Sequence, residues 1–129
     1  MKKNILVLLV ICFLIFSFFT GCKEENTGLS IDDRIRAFLR DTSGQNRDSV
    51  CKDHFHSSSN WRGGNSGTLN TLGFTQLSPG AFYTAGLIEN TGSNSRKVRV
   101  DETGAAPFSK NFIMREEKKN DWYIDDITN

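Results

Sequence analysis

The sequence predicts an α+β domain, with N-terminal helices packed on one face of an antiparallel sheet. Two observations carry this. Apolar residues recur at helical spacing from Ile31 to Leu39, whereas beyond Ala81 they alternate. The alternating runs are joined by short polar links, which suit antiparallel neighbours. A parallel pair needs a crossover of about a dozen residues. Helices first and strands after is the segregated order of α+β architectures. The chain has 129 residues, and the predicted domain fills residues 30–129, a length that suits one domain.

The first helix starts at Ser30. A serine there can accept a bond from an orphan amide, and Asp32 and Asp33 suit the positive end of a helix. Ile31, Ile35, Phe38 and Leu39 share one face, Arg34, Arg36 and Arg40 largely occupy the others, and Ser43-Gly44 ends the element. A shorter helix is expected from Asn46 to about Phe55, with Val50, Cys51 and Phe55 on its apolar side. Residues 57–67 have loop composition, with Trp61 as their only large apolar group. Thr68 to Phe74 reads as one or two helical turns with Leu69 and Leu72 inward, and Ser78-Pro79-Gly80 as a turn.

Four strands follow. Ala81–Glu89 is the first, with a turn over Asn90–Asn94. Arg96–Glu102 sets Val98 and Val100 on one face and Lys97, Arg99 and Asp101 on the other. Thr103 to Ala106 links it to Phe108–Glu116, where Phe108, Phe112 and Met114 share a face with Lys110 between them. Glu117–Asn120 is a polar turn, and Trp122–Ile127 closes the meander.

The N-terminus has a different design. Lys2 and Lys3 precede an apolar run from Ile5 to Phe19, broken only by Ser17. As a helix it spans ~22 Å, short of a ~30 Å hydrocarbon core, which is the proportion of a signal peptide rather than a membrane span. Phe19-Thr20-Gly21-Cys22 follows, then Lys23-Glu24-Glu25. These residues resemble the lipobox of bacterial lipoproteins, although Phe19 stands where leucine is usual. The resemblance implies cleavage after Gly21, diacylglyceryl on the Cys22 thiol and an acylated new amine. The expected organisation is therefore a signal peptide over 1–21, a lipidated cysteine and tether over 22–29, and the domain over 30–129. The expected location is the cell envelope, lipid-anchored on the periplasmic or surface face, most naturally of an outer membrane. Each buried CH₂ contributes about 0.8 kcal/mol, so two or more chains hold firmly. Lys23-Glu24-Glu25 also resembles the surface-export tag of some lipoproteins, but its composition is that of a solvated tether.

Removing 21 residues leaves 108 and turns a formal net charge of +1 into −1, because Lys2 and Lys3 leave. A balanced charge argues against a nucleic-acid binder. Cys12 leaves with the signal peptide and Cys22 carries lipid, so Cys51 remains as a lone thiol, expected to be a small buried residue rather than a nucleophile. With no disulfide the domain depends on its core. That core is lean: Ile, Leu, Val and Phe supply 21 of the 108 mature residues.

The helix, short helix, loop and meander end in Asp121-Trp122-Tyr123-Ile124-Asp125-Asp126-Ile127, after the charged turn Glu116-Glu117-Lys118-Lys119-Asn120. This order resembles the NTF2-like (cystatin-like) superfamily, and within it small bacterial lipoproteins of unassigned function. The resemblance implies a curved sheet wrapped round a helix to form a cone. It transfers no catalytic residue, since no motif that would carry one is legible.

Cys51-Lys52-Asp53-His54-Phe55-His56 is the densest set of potential ligands. On a helix His54 and His56 point about 200° apart and do not share a metal; both are expected at the surface. Asp125 and Asp126, with Glu116 and Glu117, read as solvated strand ends, because adjacent strand residues face opposite ways. Ser59 or Ser66 with His54 or His56 lacks the elbow and oxyanion pattern of a hydrolase. Trp61 is a candidate ligand contact, and Trp122 is expected to pack in the core. The expected function is a membrane-anchored, non-enzymatic module without cofactor or metal, binding a small apolar ligand or an envelope protein. The alternative is an isomerase or dehydratase with a His or Asp base inside the cone.

Overall fold

The computed structural model describes residues 28–75, 83–103 and 107–129. The signal peptide, Cys22 and the turn over Ser78-Pro79-Gly80 lie outside them. Helices lead and a curved antiparallel sheet follows, so the fold is α+β.

Helix α1 runs Ile31–Thr42. The Ser30 hydroxyl accepts the amide of Asp33 at 3.2 Å and donates to its carboxylate at 2.6 Å. Thr42 donates back to the carbonyl of Leu39, and Ser43 caps the end. Ile35, Phe38 and Leu39 are buried, as their spacing predicts. Arg34 is not on a solvated face: only 6% of it is exposed. Its guanidinium donates to the carbonyls of Trp122 (2.7 Å) and Asp53 (3.1 Å) and to the Asp121 carboxylate (3.2 Å). It also lies 3.9 Å from the centre of the Tyr123 ring. The partners of a planar, five-donor cation explain a burial that hydropathy argues against.

The predicted second helix is a 3₁₀ turn, Arg47–Ser49, followed by α2, Val50–His54. Val50, Cys51 and Phe55 are buried. Helix α3, Ser66–Thr71, is closed at its start by a reciprocal pair of bonds between Asn65 and Thr68, and buries Leu69.

The sheet has strands β1 (Tyr83–Gly92), β2 (Ser95–Glu102), β3 (Phe108–Lys118) and β4 (Asp121–Thr128) in the order 1-2-3-4, all antiparallel. The two hairpins are tighter than the sequence suggests. The first turns on Ser93-Asn94 rather than over Asn90–Asn94. The second turns on Lys119-Asn120, with Asn120 at φ 62°, a left-handed conformation that asparagine tolerates and a two-residue hairpin requires. Strand β3 thereby claims Glu117 and Lys118 from the predicted turn.

Phe112 pairs with Ile127 and Met114 with Ile124, so Asp125 is an extra residue on β4. That bulge turns Ile124 and Ile127, three positions apart, to the same buried side. The free edge of β4 is covered: the His56 amide donates to the Ile124 carbonyl at 2.7 Å, and Phe55 forms a one-residue parallel bridge to Ile124. Farther along, the Trp122 amide donates to the Leu29 carbonyl at 3.0 Å, and the Leu29 amide to Asp121 at 3.2 Å. Gly28 lies so close to the hairpin that a Cβ there would stand 2.5 Å from Asp121 Cβ.

The core between helix and sheet is aromatic. Phe38 meets the rings of His54, Phe55, Phe74 and Phe112 edge-on, with centroids 5.1 to 6.0 Å away. Val98, Val100, Met114 and Ile124 complete the buried sheet face. Trp122 packs against this cluster while half-buried, with the Arg96 guanidinium 5.3 Å from its ring.

Candidate functional site

The loop between α2 and α3 wraps round the β4 edge and is held from four directions. The Ser59 hydroxyl donates to the Asp125 carbonyl at 2.6 Å and accepts the Trp61 amide at 3.2 Å. Arg62 donates to the Phe55 carbonyl at 2.7 Å. The Trp61 indole N–H donates to the Asp126 carboxylate at 2.8 Å, and its ring is half-buried against the core. The result is a fixed aromatic group on a polar ledge.

Beside it is a cleft of about 460 Å³ lined by Ser58, Ser59, Asn60, Trp61, Arg115, Asp125 and Asp126. Arg115 closes one wall and is bonded to Asp125 at 2.7 Å. Arg115 also borders a second polar cleft, of about 550 Å³, with His56, Asn94, Glu116 and Glu117 on its walls. A hydrogen bond from Ser57 holds the Glu117 carboxyl below the usual carboxylate range. A third cleft, near the start of α1, carries Ile31, Asp32, Asp33, Ile88 and Trp122.

The candidates named from the sequence are separated by the fold. His54 and His56 are both buried, contrary to their expected place at the surface. His54 Nε2 lies 2.8 Å from the Asp41 carboxylate. Burial pushes the His54 pKa down, more than Asp41 raises it, so at neutral pH the ring is neutral and its Nε2–H donates to Asp41. The buried Nδ1 has no hydrogen-bond partner among the described residues. His56 instead uses Nδ1 to accept the Ser58 amide at 3.1 Å. Among the described residues no group of three or more His, Cys, Asp or Glu could hold a metal ion.

Cys51 is a free, buried thiol whose pKa burial raises, the inert setting expected for it. Ser66 is bound through its amide to Asp48 at 3.0 Å, while the side-chain partners of His54 and His56 are Asp41 and Ser58. Asp125 and Asp126 are more than solvated strand ends. The first pairs with Arg115, and the second holds both the Trp61 indole and the Ile127 amide. Sequence reasoning missed Arg115 and Asp41 as partners. Asp41 lies 13 positions from His54, and Arg115 lies 10 positions from Asp125 on the neighbouring strand, so adjacent residues do not mark either pairing.

No described helix is long and apolar enough to cross a membrane. Comparison with protein-family models, curated proteins and solved structures finds no match to the chain.

Proposed function

We propose that this protein is a lipid-anchored lipoprotein of the cell envelope whose folded domain, NTF2-like in architecture, is a non-enzymatic binding module. The lipobox-like residues ending in Cys22 support the anchor. The observation that carries the binding reading is the packed aromatic core, where Phe38 meets Phe55, Phe74 and Phe112 edge-on with centroids 5.1 to 5.9 Å away. Recognition is then assigned to the surface clefts, of which the one beside Trp61 presents an indole tied through its own N–H to Asp126. The meander and its helix support the NTF2-like assignment.

Metabolic labelling with palmitate tests the anchor. Cys22→Ala should abolish labelling and release the domain from the membrane fraction; persistent labelling overturns the assignment.

The buried His54–Asp41 pair favours a second reading, an isomerase or dehydratase with His54 as base. Against it, neither residue lines any of the three clefts described above. Reproducible turnover in an isomerase and hydrolase screen, lost in His54→Gln, would establish it instead.

A further inference from the structure

We infer that the cleft beside Trp61 is a saccharide site, taking a neutral sugar of one to a few rings. The inference rests on the binding-module reading and supplies the ligand class. Three features of the cleft select that chemistry.

The first is an immobilised indole. Trp61 is tied through its own N–H to Asp126 and through its amide to Ser59, so its conformational freedom is spent before any ligand arrives. An aromatic face with a negative quadrupole suits the weakly positive C–H patch on one side of a pyranose ring.

The second is a polar rim whose charges are already matched. Arg115 is paired with Asp125 at 2.7 Å. Asp126 accepts the Trp61 indole N–H and the Ile127 amide, each at 2.8 Å. An anionic ligand would meet the Asp125 and Asp126 carboxylates beside Arg115. A cationic ligand would share the cleft with the Arg115 guanidinium. A neutral polyol is repelled by neither, since it can donate to the remaining carboxylate lone pairs and accept from guanidinium N–H groups left over by the pair.

The third is the balance of the lining. Trp61 is the one apolar group, set among Ser58, Ser59, Asn60 and the charged pair, so an apolar ligand would strip water from hydroxyls and amides without replacing those bonds. The Asn60 side chain makes no hydrogen bond among the described residues and is exposed at the cleft. At about 460 Å³ the space lies within the roughly 300–1,000 Å³ of small-molecule sites. Arg115 also lines the neighbouring polar cleft.

The test uses the full-length mature protein in a polyoxyethylene detergent, because sugar-headed detergents would compete. Chitotriose, maltotriose and cellotriose are titrated while the Trp61 indole N–H is followed by NMR, assigned through Trp61→Phe. Hexadecanoate and spermidine are the non-saccharide probes. The expected result is a saturable shift with at least one trisaccharide. Trp61→Ala should weaken binding about tenfold, and Asn60→Ala, which removes no bond of the fold, about threefold. Trp122→Phe, in a different cleft, should leave the affinity unchanged. Saturation by hexadecanoate or spermidine alone overturns the saccharide while leaving a binding module in place. No shift with any probe, in protein whose urea midpoint is that of the native chain, overturns the site itself. Palmitate on Cys22 is read by mass in the same sample, so the anchor succeeds or fails separately.

Discussion

Arg34 and Asp121 stand 87 positions apart, and their side chains meet at 3.2 Å beneath the start of the last strand. The same guanidinium reaches the backbone of Trp122 and of Asp53. One side chain therefore joins the first helix, the short helix and the closing hairpin.

Arg34→Ala should destabilise the domain by about 3 kcal/mol, the low end for breaking a buried pair, since Asp121 keeps some contact with water. Arg34→Lys should recover part of this, because an ammonium lacks the planar fork. Arg36→Ala, whose pair with Asp32 is exposed, should change stability by less than about 0.5 kcal/mol. Urea midpoints at constant slope measure all three. Equal losses at positions 34 and 36 would refute the contrast.

Stability should fall with acid from near pH 6.5. Burial is the chief reason the folded His54 pKa lies below the ordinary imidazole value. The unfolded chain therefore takes up this proton at a higher pH than the folded one. Stability is lost as pH drops below about 6.5, by at most about 1.4 kcal/mol per pH unit, until the folded value is passed. Asp41 acts at lower pH. Burial alone would raise its pKa, but hydrogen bonds from Arg40 and His54 lower it, so its contribution disappears as the carboxylate protonates. His54→Gln should flatten the profile just below about pH 6.5 and leave the acid limb that Asp41 supplies. A wild-type midpoint constant from pH 7 to 5 would contradict this.

Phe38→Ala should cost about 4 kcal/mol, and Phe38→Leu about 1–2 kcal/mol. Four rings meet this one edge-on, so its loss opens a cavity bounded by aromatic side chains that cannot all close in. A small domain is stable by only about 5–15 kcal/mol. The alanine variant is expected to bind a hydrophobic dye and lose near-ultraviolet circular dichroism. Retention of a sharp, native-like transition would show that the cluster relaxes more easily.

Cys51 should be silent to thiol reagents in the folded protein and react fully in denaturant, since it is wholly buried with a raised pKa. The count is informative as well. Lipidated mature protein yields one thiol on unfolding, and protein cleaved but unlipidated yields two. Rapid labelling of the native domain would show that α2 opens readily.

Elements with an unbroken period were legible in the sequence. Ile35, Phe38 and Leu39 declared the buried face of α1, and Val98 and Val100 that of β2. What escaped depended on partners far along the chain. Arg34 lies in a polar row of the helix, and only the carbonyls of Asp53 and Trp122 and the Asp121 carboxylate make its burial tolerable. His54 and His56 look like exposed groups at a helix end until Asp41 and Ser58 supply their bonds. The bulge at Asp125 breaks the period of two, so simple alternation does not bring Ile124 and Ile127 to one face. Trp61 was recognisable as an aromatic in a polar loop, but its anchor on Asp126 lay 65 positions away.

The stitch between residues 28–29 and the β3–β4 hairpin has a mechanical meaning. A pull on the N-terminus does not reach helix α1 first. It arrives at Leu29, whose two bonds hand the load to Asp121 and Trp122, and Arg34 backs that junction from the helix side. The Trp61 ledge is attached farther along β4, roughly 13 Å from Trp122 by strand rise. Force entering through the tether is thus borne at one end of the last strand, and the ledge at Asp125 and Asp126 stays unloaded until that junction yields.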